Sequence, residues 1–158
     1  MATMVQAVRM ALHYGEEHLG VTDIFGEDVG PPLGGVFTAT QGLKTVWNSP
    51  LDERGIIGTA MGIAYAGGRP VCEIQFCDYA FNVLDMLKIA GNQYWSGRGA
   101  YPMQMVVMTP SGASIISLSF ASLSGSPGSC LSPRTRSSAL GIKYRTGFGS
   151  LIAESMRP

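Results

Sequence analysis

The sequence predicts an α/β domain over residues 3 to 112, built on a parallel sheet with helices on both faces. Two observations carry that expectation. Short β-prone runs at 21–25, 71–76 and 103–108 alternate with stretches whose apolar residues recur at helical spacing. Glycine and proline punctuate the joins, as in Gly67-Gly68-Arg69-Pro70 and Thr109-Pro110-Ser111-Gly112. Strands separated by helices imply right-handed crossovers, hence parallel pairing with both faces covered.

Composition suits one ordinary core: 158 residues, 46% hydrophobic, 14% charged, with zero formal net charge. Such a balance supplies neither a basic patch for nucleic acid nor a polybasic membrane anchor. The N-terminus shows no cationic region leading into an apolar core, and no Arg-rich transit pattern, so a cytoplasmic prokaryotic protein is expected. Cys72, Cys77 and Cys130 form no C-x-x-C pair, so buried free thiols are expected rather than a disulfide framework or a zinc site.

In chain order, Val5, Val8, Met10, Ala11 and Leu12 mark a first helix from Ala2 to about Leu19, stopped by Gly20. His13 and His18 lie near its end, where favourable interaction with the helix C-terminus fits better than metal binding, because five residues do not return to the same face. Val21 to Phe25 is a strand, and Gly26-Glu27-Asp28 follows at its C-terminal edge, where parallel sheets bind ligands. The loop Gly30-Pro31-Pro32-Leu33-Gly34-Gly35 matches neither a dinucleotide fingerprint nor a phosphate loop.

A helix is expected to begin near Pro50, with Asn48 or Ser49 as cap, Pro50 in the first helical position, and Asp52 and Glu53 at the positive end. Gly55, Gly58, Gly62 and Ala66 make a stripe almost without side chains, which suits close docking of another backbone. The apolar run is too short and too charged at its start to span a membrane. Gly67 and Gly68 should end the helix, and Val71 to Phe76 should be the next strand, with Phe76 on its core side. Tyr79 to Asn92 reads as a helix presenting Phe81, Leu84, Leu87 and Ile89, followed by a loop over Tyr94 to Gly99 and a strand from Met103 to Met108.

These residues resemble a known family. The helix start Pro50-Leu51-Asp52-Glu53-Arg54-Gly55-Ile56-Ile57-Gly58 and the strand end Glu73-Ile74-Gln75-Phe76-Cys77-Asp78-Tyr79 are similar to segments of the β subunit of thiamine-diphosphate-dependent 2-oxo acid dehydrogenases. Gly26-Glu27-Asp28-Val29, Gly34-Gly35-Val36-Phe37 and Gln41-Gly42-Leu43 also resemble that family, and the likeness runs from about Met4 to Gly112. It implies a transketolase-like pyrimidine-binding domain, incomplete here. Its work would be oxidative decarboxylation of a 2-oxo acid, pyruvate or branched-chain, with acyl transfer to a lipoyl-bearing acyltransferase. The Gln75-Phe76-Cys77-Asp78-Tyr79 wording inclines toward branched-chain.

The resemblance also implies roles. Thiamine diphosphate loses a proton through its own aminopyrimidine, which a neighbouring carboxyl pushes toward the imino form. By resemblance that carboxyl is Glu53, with Leu51, Gln75 and Tyr79 beside the ring and Glu27 as a second carboxyl in a proton relay between paired sites. On position alone, Glu53 is a first-turn glutamate serving the helix dipole, Tyr79 an ordinary buried tyrosine, and Glu27 a solvated loop acid. The family's diphosphate is held through Mg²⁺ by a G-D-G motif on a partner α subunit. No G-D-G occurs here, so no metal ligand is implied for this chain. The implied assembly pairs two α with two β subunits.

Beyond Gly112 serines crowd 111–138 and no charge occurs between Arg98 and Arg134. The family's H-S-x-S-F segment is answered by Ile116-Ser117-Leu118-Ser119-Phe120, without the histidine. Residues 113–158 therefore read as a degenerate Ser-rich tail with the C-terminal transketolase domain absent, as in a truncated or sequence-damaged member. Two other readings stand beside the enzymatic one: a non-catalytic fragment that only binds the α subunit, and the pyrimidine domain of another thiamine enzyme.

Overall fold

The computed structural model describes residues 3–32, 36–111 and 114–118. The chain runs α1 (Met4–His18), β1 (Asp23–Gly26), α2 (Phe37–Thr40), β2 (Val46–Asn48), α3 (Glu53–Tyr65), β3 (Pro70–Glu73), a 3-10 turn (Cys77–Val83), α4 (Leu84–Ser96), β4 (Val106–Ser111) and β5 (Ser114–Leu118). The strands form one sheet in the order β2-β1-β3-β4-β5. The first four are parallel, and β5 pairs antiparallel to β4. The α/β expectation holds, extended by an antiparallel edge strand. Residues 114–118 were expected to lack an element; they add to the open edge of β4 through main-chain pairing, which needs no apolar periodicity. The remainder of the expected tail, and Cys130, lie outside the described residues.

Alternation along the strands builds two cores. Ile24, Val71, Val106 and Met108 face α1 with Val8 and Leu12, whereas Phe25, Cys72 and Val107 face α3 with Ile56, Ile57, Ala60 and Ala64. Each fully buried Ile or Phe contributes on the order of 1.5–3 kcal/mol. From β1 the chain steps to β2 on one side, then passes through α3 to β3 on the other, so β1 and β3 flank a topological switch point.

Several local expectations are corrected. α3 begins at Glu53, and its cap is Asp52, whose Oδ1 accepts the Gly55 N–H at 3.0 Å. Neither Asn48 nor Ser49 caps it, and Pro50 precedes it, because the chain is still leaving β2 there. Asn48 is engaged elsewhere: its Oδ1 accepts from the N–H groups of Val29 and Gly30, at 3.2 and 2.7 Å. At the other end Gly67, at φ +93°, donates to Ala64 O and Gly68 donates to Ile63 O, the paired bonds of a Schellman stop.

The glycine stripe is divided. A Cβ on Gly55 would lie 2.6 Å from the Asp52 carboxylate, and one on Gly58 would touch Met86 of α4, while Gly62 faces open space. Phe76 is 52% exposed rather than in the core, because β3 ends at Glu73 and strand alternation stops with it. The expected Tyr79–Asn92 helix is a 3-10 turn leading into α4, which continues through the expected loop to Ser96. Val83 of the turn and Ala90 and Tyr94 of α4 are buried, while Phe81, Leu84 and Ile89 are exposed. Met103 and Met105 are buried yet precede β4, since pairing with β3 starts at Val106. Met10 is exposed. His18 lies in the last turn of α1, whereas His13 sits earlier, against the Gln41 carbonyl at 3.4 Å. Of the expected buried thiols, Cys72 is buried and Cys77 half-buried.

One carboxylate ties α1 to the start of β2. Glu16 Oε1 accepts from the N–H groups of Lys44 and Thr45 and from the Thr45 hydroxyl, at 2.8, 2.7 and 2.7 Å. Partial burial works upward on its pKa, but the bonds from Thr45 and Lys44 outweigh it and hold the group below its ordinary value. A depressed carboxylate stabilises above its unfolded pKa and loses that contribution as pH falls through the folded value. Glu16→Ala is expected to cost about 1–2 kcal/mol at neutral pH, with the gap from the parent closing in acid. Denaturant midpoints at the two pH values measure both.

Candidate functional site

Main-chain geometry assembles the site at the carboxyl edge of the switch point. β1 ends in Gly26 and leads into Glu27 and Asp28; β3 ends in Glu73 and leads through Ile74 to Gln75. Gly26 has no side chain because none fits: a Cβ there would stand 2.5 Å from Glu73 Oε2 and 2.7 Å from the Glu73 carbonyl oxygen. The two strands thereby bring three carboxyls together in the interior. Glu73 is 0% exposed, Glu27 6%, and Asp28 is buried with them. Glu73 Oε2 accepts the Glu27 N–H at 3.0 Å.

Glu53 is half-buried at the first helical position of α3, with Asp52 beside it. Burial first, and then the charges of Glu53 and Asp52, raise the Glu27 pKa above its ordinary value. Burial also pushes Glu73 up to about 7, with Glu27 and Asp28 adding to the rise and hydrogen bonds from their amides opposing it. Both oxygens of Glu27, Asp28 Oδ1, Glu73 Oε1 and Gln75 Oε1 are buried without a hydrogen-bond partner. A group of acceptors left in that state suits a ligand that brings donors. Among the described residues no set of three His, Cys, Asp or Glu side chains is arranged to hold a metal ion.

Of the residues picked out from sequence, Glu27 is buried in the cluster, Glu53 acts on it by charge from the start of α3, and Gln75 follows β3 with a buried, unpaired oxygen. Glu27 is no solvated loop acid. Leu51 is 85% exposed on the segment before α3, and Tyr79 is 42% exposed on the 3-10 turn, so neither belongs to the buried cluster and Tyr79 is not a buried core tyrosine. Tyr79 packs edge-on against Phe76, ring centroids 5.5 Å apart. Sequence reasoning assigned no role to Asp28 or Glu73. The signal for Glu73 was a carboxyl inside the β-prone run Pro70–Glu73, which burial makes costly unless it serves a purpose.

Residues 1–115 match the pyrimidine-binding domain of transketolase. The chain belongs to that family. Over 120 residues it is 39% identical to a 2-oxoisovalerate dehydrogenase subunit beta of Pseudomonas aeruginosa, covering 72% of this chain and 34% of that protein. It is 40% identical over 121 residues to pyruvate dehydrogenase E1 component subunit beta of both Staphylococcus epidermidis and Staphylococcus aureus, covering 72% of this chain and 37% of each. The chain thus spans about a third of the length of these relatives. Members of this pyrimidine-binding family bind thiamine diphosphate, and the position of the carboxyl cluster at the switch point is where such an α/β fold binds ligands. No helix among the described residues is long and apolar enough to cross a membrane.

Proposed function

We propose that this chain supplies the pyrimidine half of a thiamine diphosphate site, as the β component of a 2-oxo acid dehydrogenase acting on pyruvate or a branched-chain 2-oxo acid, with residues 3–112 as the binding domain. The observation that carries the reading is the buried carboxyl of Glu27 at the carboxyl edge of the sheet, on which the charge of Glu53 at the start of α3 acts. The residues present fit the group. Unpaired acceptors on Glu27 and Gln75 suit the amino and ring N–H donors of an aminopyrimidine, and Glu53, half-buried at the start of α3, would share a proton with a ring nitrogen. When bound, thiamine diphosphate supplies the thiazolium carbanion chemistry that cleaves 2-oxo acids.

In this reading Glu53 holds the proton shared with the ring and Glu27 is the second carboxyl behind it. Gln75 orients the ring. Leu51 and Tyr79, exposed here, offer an apolar and an aromatic surface that binding would cover. An α subunit supplies the Mg²⁺ and the diphosphate grip, and a lipoyl-bearing acyltransferase takes the acyl group. The open Gly62 supports an approach of the α subunit along α3.

The test is co-expression of the 158-residue chain with the α subunit of one of the staphylococcal or pseudomonad relatives, followed by calorimetric titration with thiamine diphosphate and Mg²⁺ and a decarboxylation assay. Saturable binding that Glu53→Gln weakens, with turnover, supports the reading; a complex that binds no cofactor removes it. Gly62→Leu is expected to leave folding nearly unchanged and to weaken co-purification at least about tenfold, since the side chain holds backbones apart. Undiminished assembly would move the docking face away from α3.

A further inference from the structure

We propose that Glu73 is a positioning residue for this site: its Oε2 holds the Glu27 amide at the carboxyl edge of the sheet, and its other oxygen, buried without a partner, carries a proton. The role it gives Glu27 rests on the thiamine reading above. The hydrogen bond and the proton on Glu73 do not.

Geometry comes first. The Glu73 side chain is wholly buried, and the missing side chain of Gly26 gives it access to the Glu27 N–H, 3.0 Å from Oε2. The remaining Glu73 oxygen, both Glu27 oxygens and one Asp28 oxygen are buried acceptors with no donor. Three ionised carboxylates in that arrangement would leave every one of those atoms unpaired and repelling. A proton on Glu73 removes one of those charges and turns its orphaned oxygen into a neutral hydroxyl.

Among the described residues, no neighbouring element supplies a cation instead. α3 brings Asp52 and Glu53, which add negative charge. On β3 the adjacent Cys72 is buried, its thiol pushed up to about 12, so it stays neutral. β4 presents Val106, Val107, Met108 and Thr109 alongside, none of them charged. Arg54 is engaged with Asp85 at 2.7 Å, and Arg69 donates to the Leu19 carbonyl at 2.7 Å. Burial lifts Glu73 from its ordinary 4.5 to about 7, in keeping with a proton retained at neutral pH.

Between 4.5 and about 7 the folded chain binds more protons at Glu73 than the unfolded chain, so stability falls as pH rises through that window. Retaining the proton near neutrality keeps Glu73 an acceptor for the Glu27 amide without a third charge in the cluster.

The experiment uses the full chain, labelled with ¹³C at the glutamate carboxyls, titrated by NMR from acid to mildly alkaline pH as parent, Glu73→Gln, Glu73→Ala and Glu27→Gln. Three results are expected. A carboxyl resonance titrating near neutrality is absent from Glu73→Gln and shifts to a lower midpoint in Glu27→Gln, where the repelling charge has gone. Glu73→Gln unfolds no more easily than the parent, since an amide oxygen still accepts the Glu27 N–H, and it loses the decline in stability through the pH window. Glu73→Ala unfolds at lower denaturant at every pH. The inference is overturned if Glu73 titrates in the ordinary carboxylate range, if its midpoint ignores Glu27→Gln, or if Glu73→Gln fails to fold, because the folded state would then need the ionised carboxylate. Thiamine diphosphate is absent from these measurements, so a failed cofactor titration leaves their outcome unchanged.

Discussion

Glu53→Gln, in a version of the chain extended to the length of its relatives and assembled with its α subunit, is expected to lower 2-oxo acid decarboxylation by about 10²–10⁴-fold, the range associated with loss of one positioned acid–base group. An amide keeps the size of the side chain but cannot share a proton with a ring nitrogen. The loss should therefore appear in kcat as well as in kcat/KM. The fold should hardly register the change. The cap of α3 is Asp52, which accepts the Gly55 N–H at 3.0 Å, so the helix start does not depend on Glu53 beyond its interaction with the dipole, about 0.3–1 kcal/mol. Steady-state decarboxylation beside a denaturant curve separates the two roles. Near-normal turnover with cofactor bound would sink the thiamine assignment of Glu53 and leave it a dipole residue.

Gly26→Ala should have the largest effect on stability, about 3 kcal/mol or more, as expected when overpacking meets main chain that cannot yield. The added Cβ would fall 2.5 Å from Glu73 Oε2, 2.6 Å from Glu73 Cβ and 2.7 Å from the Glu73 carbonyl oxygen. A flexible side-chain tip could move; a carbonyl in a parallel strand paired with β1 cannot, without breaking the register that matches Asp23 to Pro70 and Phe25 to Cys72. The variant should also separate Glu73 from the Glu27 amide, whose hydrogen bond opposes the rise, so that the titration of the still-buried Glu73 moves further up. Equilibrium unfolding and the ¹³C titration report the two consequences. An unchanged unfolding midpoint would mean that β1 and β3 are not this close.

Much of the fold could be read from the chain because local patterns determine it. The β-prone runs, the Gly67-Gly68 stop and the apolar spacing of α1 and α3 each reflect short-range chemistry: strand alternation, left-handed glycine and helical periodicity. Glu27, Glu53 and Gln75 could be named because the motifs around them resemble those of a known family; on position alone Glu53 reads as a helix-dipole residue and Glu27 as a loop acid. The competition among Asn48, Ser49 and Asp52 for the cap of α3 could not be settled locally. All three are good capping residues, and the outcome turned on Asn48 being drawn to Val29 and Gly30, eighteen or nineteen residues away.

The edge strand β5 was hidden for a related reason. Main-chain pairing with an open edge depends on which strand lies outermost, not on side-chain pattern. Phe76 was assigned to the core because alternation was carried past the residue at which β3 ends.

What the sequence by itself determined was therefore the α/β class, the two-sided core and the identity of the acids at the strand and helix ends. Only the tertiary structure decided that Glu73 belongs with them. Its burial and its bond to the Glu27 amide arise from the β1–β3 pairing between residues 46 positions apart in the chain, and no local pattern records which strand will lie beside Gly26. Leu51 and Tyr79 show the converse. Their motif marks them for the site, but their exposure is set by how the loop before α3 and the 3-10 turn lie on the sheet, and that packing leaves both on the surface.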